Sequence, residues 1–220
     1  MKKLLTLLIL SLTITIAHAQ FFQGWGFFVG ATAGRQYWHH SSFDSLPNPN
    51  SKEKLNFLLR YNGEIFFEFI DNPTFRWVTE VQYNVKGSKM KNPTPNDLFL
   101  GYSSGTKFVN QYAAWNNYLM IRKEMFAIIP YAKIGPRLEY VFSSPQGFKK
   151  FHVTGALGAG IEFVAYGPVK FITEAWWVPD LTKSYSLGFD PTIKQHCWEL
   201  RVGLKFAPRG GSCPKALTYN

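Results

Sequence analysis

The sequence predicts an all-β fold: an eight-stranded, antiparallel, up-and-down transmembrane β-barrel. Three observations carry this reading. Eight segments alternate apolar and polar residues with a period of two, the mark of a strand with two unlike faces. The connections between these segments alternate long and short. The polar strand faces hold seven of the nine glutamates: Glu64, Glu68, Glu80, Glu139, Glu162, Glu174 and Glu199.

The first expected strand covers about 24–38, with Trp25, Phe27, Val29, Ala31 and Ala33 on one face. The second, about 55–70, sets Leu55, Phe57, Leu59, Tyr61, Ile65, Phe67 and Phe69 against Asn56, Arg60, Asn62, Glu64 and Glu68. The third, "FRWVTEVQYNVKG" at 75–87, alternates almost without a slip. The fourth, about 112–122, is the least regular. The fifth, about 126–142, sets Ile128, Ala132, Ile134, Leu138 and Tyr140 against Tyr131, Lys133, Arg137 and Glu139. Pro130 and Pro136 interrupt it, and proline is disfavoured inside a sheet. The sixth, about 151–165, sets Val153, Leu157, Ile161 and Phe163 against His152, Thr154, Gly158, Gly160 and Glu162. The seventh, about 169–178, sets Val169, Phe171, Ala175 and Trp177 against Lys170, Glu174 and Trp176. The eighth, "HCWELRVGLKF", sets Trp198, Leu200, Val202, Leu204 and Phe206 against Cys197, Glu199, Arg201, Gly203 and Lys205.

Strands one and two are joined by about 16 residues, three and four by about 24, five and six by about 8, and seven and eight by about 16. The turns between, at Asp71-Asn72-Pro73-Thr74, Lys123-Glu124-Met125 and Tyr166-Gly167-Pro168, are about four residues or fewer. Bacterial outer-membrane barrels sort their connections this way, with short periplasmic turns and long extracellular loops. Both termini are therefore expected in the periplasm.

The charges decide which face points out. Arg60, Arg76, Lys86, Lys133, Arg137, Lys170, Arg201 and Lys205 share the polar faces with the seven glutamates, and the apolar faces carry essentially no charge. A charge on a lipid face near the midplane costs about 2–4 kcal/mol. The economical arrangement turns the apolar faces to lipid and fills the lumen with an ion-pair network. Its expected members are Arg60, Glu64, Glu68, Arg76, Glu80, Lys133, Arg137, Glu139, Glu162, Lys170, Glu174, Glu199 and Arg201. At eight strands a barrel interior is just filled by side chains, so a salt-bridged plug is expected rather than a wide pore. Trp25, Trp38, Trp77, Trp115, Trp177 and Trp198 lie near strand ends, where aromatic belts sit. The alternative is a soluble secreted sandwich or calycin-like barrel. It would have to house an aromatic content of 17% with only one buried face.

The opening "MKKLLTLLILSLTITIAHAQ" reads as a secretory signal peptide over 1–19, with a basic start, an apolar run and an A-x-A site. Its loss lowers the formal charge from +10 to +8 (10 − 2). The barrel is expected over 20–206 and a short periplasmic tail over 207–220. No later stretch approaches the roughly 18 apolar residues of a helical span. Cys197 and the end of the last strand are separated by nine residues, roughly 30 Å at 3.3 Å each. Cys213 lies beyond that end, so both cysteines are expected as free thiols.

With the strands laid out, the sequence resembles the PorT-like outer-membrane β-barrel domain family of Bacteroidota over roughly 24–206. The residues that carry the resemblance are "GFFVGATAG", "WVTEVQYNVKGSK", "NNYLMI", "PYAKIGPRLEY", "GALGAGIEF" and "WELRVGLKF". The resemblance implies an outer-membrane location and no single activity, since the family includes uncharacterised barrels and a type IX secretion component. A last strand closing on Phe206 also looks like the aromatic-ended signal read by barrel-insertion machinery.

No catalytic, cofactor or metal site is expected. His39, His40, Ser41, Ser42, Ser143, Ser144, His152 and His196 fall at loop ends, but no spacing singles out a triad. His39 and His40 with Asp44 are too sparse for a metal, and neither cysteine has a C-x-x-C partner. Gly26, Gly30, Gly34, Gly155, Gly158 and Gly160 sit within strands, where they ease curvature or make room for bulky lumen neighbours such as Trp176. The long loops carry Lys52, Lys54, Lys89, Lys91, Lys107, Lys149, Lys150, Lys183 and Lys194 against Asp44, Glu53, Asp97, Asp180 and Asp190. Lipopolysaccharide phosphates are a natural counter-charge for that excess, and nucleic acid is a poor partner for an exported barrel. The expected function is a non-enzymatic structural or interaction barrel, including a subunit of a larger outer-membrane assembly. A narrow solute channel and a lipid A-modifying rim enzyme are the alternatives.

Overall fold

A computed structural model of the chain describes residues 22–39, 52–91, 101, 103–144, 149–163, 169–182 and 192–206. The expected signal peptide, the tail after Phe206 and Cys213 lie outside these residues, as do Asp44, Asp97, Lys183 and Asp190. The strands are β1 (Phe22–His39), β2 (Lys52–Lys54), β3 (Asn56–Phe69), β4 (Phe75–Lys89), β5 (Lys107–Arg122), β6 (Ile128–Ser143), β7 (Phe151–Phe163), β8 (Val169–Pro179) and β9 (Thr192–Phe206). Each long strand pairs antiparallel with its sequence neighbour, and β1 pairs with β9 from Trp25↔Phe206 to His39↔Thr192, which closes the barrel. The short β2 adds no ninth stave. It pairs with β1 alone and continues the line of β3 past Leu55, whose N–H donates to Gln36 O at 3.1 Å.

Closure leaves no free edge, so every stave finds ladder partners on both sides. The alternation then sorts side chains to the two faces. Leu59, Val81, Ile134, Leu157, Leu200 and Val202 point out and are exposed, whereas all seven strand glutamates are buried inside. This is the reverse of a soluble protein and suits an apolar solvent around the barrel.

Three features differ from the sequence reading. First, β5 starts at Lys107 rather than near 112, and β9 at Thr192 rather than near 196. Outside the apolar band both faces mix polar and apolar residues, such as outward Lys107 and Val109 and inward Phe108 and Asn110, so the alternation fades while the backbone ladder continues. Lys89, Lys107 and Lys194 are consequently exposed strand residues rather than loop lysines, and Lys52 and Lys54 lie in β2. Trp115 and Trp198 likewise lie within their strands instead of at the ends. Second, Asp180 is buried rather than in a loop: its Oδ2 accepts the Gln195 N–H at 2.8 Å, and it forms a bridge to Thr154. Third, Phe126 is fully exposed in the β5–β6 turn instead of opening a strand.

Strand β6 accommodates both prolines. Its ladder with β5 lapses between Asn116↔Arg137 and Leu119↔Ile134, around Pro136, and resumes in the same register. Proline lacks the donor that the ladder needs there, and the flanking pairs hold the alignment.

The β3–β4 turn holds Ile70 at φ 74°. A β-branched residue is strained in that region. Asn72 stabilises the turn around it, its Oδ1 accepting the N–H groups of Thr74 at 2.8 Å and Phe75 at 3.0 Å.

Candidate functional site

The lumen is the only place where this chain concentrates polar chemistry among the described residues, and it is built in layers. Its middle layer centres on Arg201 of β9 and Arg137 of β6. Arg137 grips Glu199 with Nη1 at 2.9 Å and Nη2 at 3.4 Å, a forked pairing, while its Nη2 also donates to Tyr118 Oη at 3.1 Å. Lys86 of β4 reaches both oxygens of Glu139, at 2.6 and 2.7 Å. Arg201 donates to Glu64 at 2.6 Å and Glu80 at 3.3 Å, and also bonds Glu199. These partners stand far apart in sequence because the barrel turns side chains from distant staves toward one axis.

Amides tie the same layer together. Asn84 donates to Glu199 Oε1 at 2.7 Å and Gln82 to Glu199 Oε2 at 3.3 Å. Asn62 donates to Thr32 Oγ1 at 2.7 Å, and Thr32 donates to Asn84 Oδ1 at 2.9 Å. Glu199 thus gains neutral donors beside its cations, which suits a carboxylate buried in a low dielectric.

Lys133 closes the layer toward the short turns. Its ammonium lies 2.9 Å from Glu80 and 2.7 Å from Glu174. It also sits 5.5 Å from the ring centres of Phe28, Phe66 and Tyr131, and 5.7 Å from that of Trp176. Tyr131 Oη and Trp176 Nε1 each donate to Glu174 at 2.7 Å. One ammonium therefore has two carboxylates and four aromatic rings around it. The rings fit only because glycines face them. A Cβ on Gly26 would come within 2.5 Å of Phe66, and one on Gly158 would overlap the Trp176 ring. Aromatic bulk and glycine are complementary here, and together they fill the cross-section.

A second, smaller cluster sits toward the short turns. Lys205 pairs with Glu68 at 2.6 Å and Glu162 at 3.0 Å, Arg76 with Glu68 at 2.7 Å, and Lys170 with Glu162 at 2.5 Å. Five carboxylates face four bases in the middle layer, and two face three here, so the formal charges cancel only over the two clusters together. The surplus acid in the middle has a structural trace: Glu64 Oε2 is buried without a hydrogen-bond partner. At the long-connection end, Leu55, Met90, Phe108, Tyr112, Val141 and Ile193 form an apolar cluster inside the barrel mouth.

Of the residues singled out from the sequence, the structure brings together Glu64, Glu80, Lys133, Arg137, Glu139, Glu174, Glu199 and Arg201 in one layer. It gathers Glu68, Arg76, Glu162 and Lys170 in the other. Arg60 joins neither: it is half-buried, and among the described residues its Nη1 donates to the Leu59 carbonyl at 3.5 Å. Lys86 and Lys205 stand on the same polar faces and complete the pairing, although the expected network omitted them. Tyr118 was missed, and Tyr131 and the bridging amides, although read on polar faces, were left out of the expected network. Their signal was available, since they occupy inward positions of strands whose neighbours are charged.

Phe206 turns outward and stacks on Trp25 with centroids 4.8 Å apart. Trp77 against Phe69, and Phe163 against Phe171, extend this aromatic ring around the short-turn end at 5.9 and 5.7 Å.

The two histidines whose side chains the structure describes lie on opposite faces of the barrel wall. His152 points into the lumen, and His196 lies on the outer face with its ring edge-on to Tyr37. The side chain of His39 and residues His40, Ser41 and Ser42 lie outside what the structure describes. The carboxylates of Glu64, Glu80 and Glu174 approach within 4.8 Å of one another, a spacing that fits a metal ion. Arg201 Nη1 already reaches all three, at 2.6, 3.3 and 3.8 Å, so a guanidinium fills that position. Cys197 is a buried free thiol in the same lumen.

No protein-family model and no curated protein matches the chain. Solved structures that it is similar to include the outer membrane protein OprG from Pseudomonas aeruginosa, at 11% identity and TM-score 0.48, covering 85% of this chain and 97% of that one. Neisserial surface protein A matches at 11% identity and TM-score 0.45, covering 82% and 96%. Ail, the attachment invasion locus protein of Yersinia pestis, matches at 14% and 0.41, covering 84% and 99%. At such values these neighbours say nothing about what this chain does. Its own geometry is more informative: a closed eight-stranded barrel, apolar outside and charged inside, has the architecture of an outer-membrane β-barrel.

Proposed function

We propose that this chain is a non-enzymatic structural or interaction barrel of a bacterial outer membrane, with its short turns in the periplasm and its long connections outside. One observation carries the reading: the lumen is filled across its middle by paired charges and by the Phe28, Phe66, Tyr131 and Trp176 rings around Lys133. A filled lumen passes little, and among the described residues its charged side chains are taken up with one another. The work of such a barrel then falls to its rims, its loops and its outer wall. Membership in a larger assembly, such as a secretion complex of the PorT-like kind, fits that division. Phe206, outward at the end of β9, suits recognition by barrel-insertion machinery.

Size measurement of the protein extracted in mild detergent tests the assembly reading. A particle much larger than one barrel with its detergent belt is expected, and a monomer removes the subunit role. A narrow passage is the second reading. It is favoured by buried hydroxyls, Ser88 Oγ and Thr154 Oγ1, that have no protein hydrogen-bond partner and so suit internal water. Silence in planar bilayers is expected from the plugged barrel, whereas steady unitary conductance would replace it with the passage.

A further inference from the structure

The outer wall of the barrel is not uniform. Near the long-connection end, a row of outward residues runs Tyr83, Ala113, Tyr140, Phe151 across four paired strands. Three are aromatic and one is alanine, so the row has a gap at Ala113. Around that gap lies a groove of about 870 Å³. Trp115 and Leu138 form its lower part, and Phe151 forms one wall.

Part of the lining is supplied from outside the ladder. After β8 the chain crosses toward β7, where the N–H groups of Leu181 and Thr182 both bond Val153 O at 3.2 Å. Thr182 Oγ1 accepts the Val153 N–H at 3.0 Å, which holds Leu181 against the groove. Lys149 also lines the groove, and Lys150 follows it; both are exposed. Glu139, the carboxylate among the described residues that line the groove, faces inward onto Lys86 at 2.6 Å and away from these lysines.

We propose that this groove holds one acyl chain of a phosphate-bearing outer-leaflet lipid of the lipid A class, with the lipid's phosphate on Lys149 and Lys150. The proposal rests on the outer-membrane placement above. The groove opens on the face that meets lipid, so a chain enters without leaving the bilayer. Trp115, Leu138, Phe151 and Leu181 together offer a seated chain more contact than a smooth barrel surface can. A lysine at the same end offers a charge-assisted hydrogen bond at headgroup level, where tyrosine and tryptophan also gather.

The test is native mass spectrometry of the purified barrel with bisphosphorylated lipid A and, separately, with its dephosphorylated form. One adduct per barrel is expected with the phosphorylated lipid. Replacing Lys149→Ala and Lys150→Ala together should weaken it by at least roughly tenfold, since each charge-assisted hydrogen bond lost is worth about that much. Ala113→Phe, which fills the gap, should weaken binding of both lipid forms. The lysines are exposed, so their variant keeps the barrel intact even if Ala113→Phe does not fold. Equal binding of both lipid forms, or wild-type binding by the lysine variant, overturns the proposal. Membrane fractionation separates the two claims. A barrel found outside the outer membrane removes the placement, whereas an outer-membrane barrel without an adduct removes this inference alone.

Discussion

The two charge clusters of the lumen use the same residue types under different conditions. In the middle layer, Arg137 and Arg201 are fully buried, and the carboxylates they meet are as well. At the short-turn end, Arg76 keeps 12% of its side chain exposed and Lys170 keeps 22%. Both clusters show ion-pair contacts below 3 Å, so distance does not separate them. Solvent does. An exposed pair can exchange its partner for water at little cost, while a buried charge that loses its partner has nothing to replace it. The middle layer accordingly acts as a cross-brace between opposite staves, and the end cluster as a partly hydrated rim.

The largest effect should come from breaking the brace. Glu80→Leu removes a carboxylate that serves both Lys133 and Arg201. It is expected to destabilise the barrel by about 3–5 kcal/mol, read as a shift in urea midpoint in lipid vesicles. A change below 1 kcal/mol would mean that the middle layer is as hydrated as the rim.

Packing around the brace comes next. Gly158→Ala drives a methyl group into the Trp176 ring and should cost about 1–3 kcal/mol. Gly63→Ala is its control, because a Cβ there meets nothing closer than the Phe28 carbonyl at 3.8 Å. Comparable losses at the two positions, measured in the same unfolding assay, would show that strand glycines matter for backbone reasons alone.

The smallest effect belongs to the rim. Lys170→Ala should cost less than about 1 kcal/mol, after allowing for solvent screening, and the difference should shrink in high salt. A loss as large as that of Glu80→Leu, insensitive to salt, would erase the distinction between the clusters.

Strand existence and facing were legible because both are local. "FRWVTEVQYNVKG" specifies its two faces through the period of two alone, and the structure extends that strand only to Lys89. The limits of β5 and β9 were less legible. Lys107, Val109 and Gln111 point outward and Phe108 and Asn110 inward, so 107–111 mixes polar and apolar residues on both faces, and its backbone ladder leaves no period of two to read. Asp180 was misplaced for a related reason: the bridge to Thr154 that buries it depends on where β8 leaves the sheet.

The sequence by itself determined that the chain forms eight amphipathic staves and that their charged faces turn away from their apolar ones. Only the tertiary structure decided which charges meet. Glu199 takes Arg137 from β6 as well as Arg201 from its own strand, Arg60 is left outside, and the carboxylates of Glu64, Glu80 and Glu174 collect around one guanidinium. Those partners depend on the stagger between staves, the reach of each side chain and the space that facing glycines leave for aromatic rings. All three are properties of the closed barrel, and no single strand contains them.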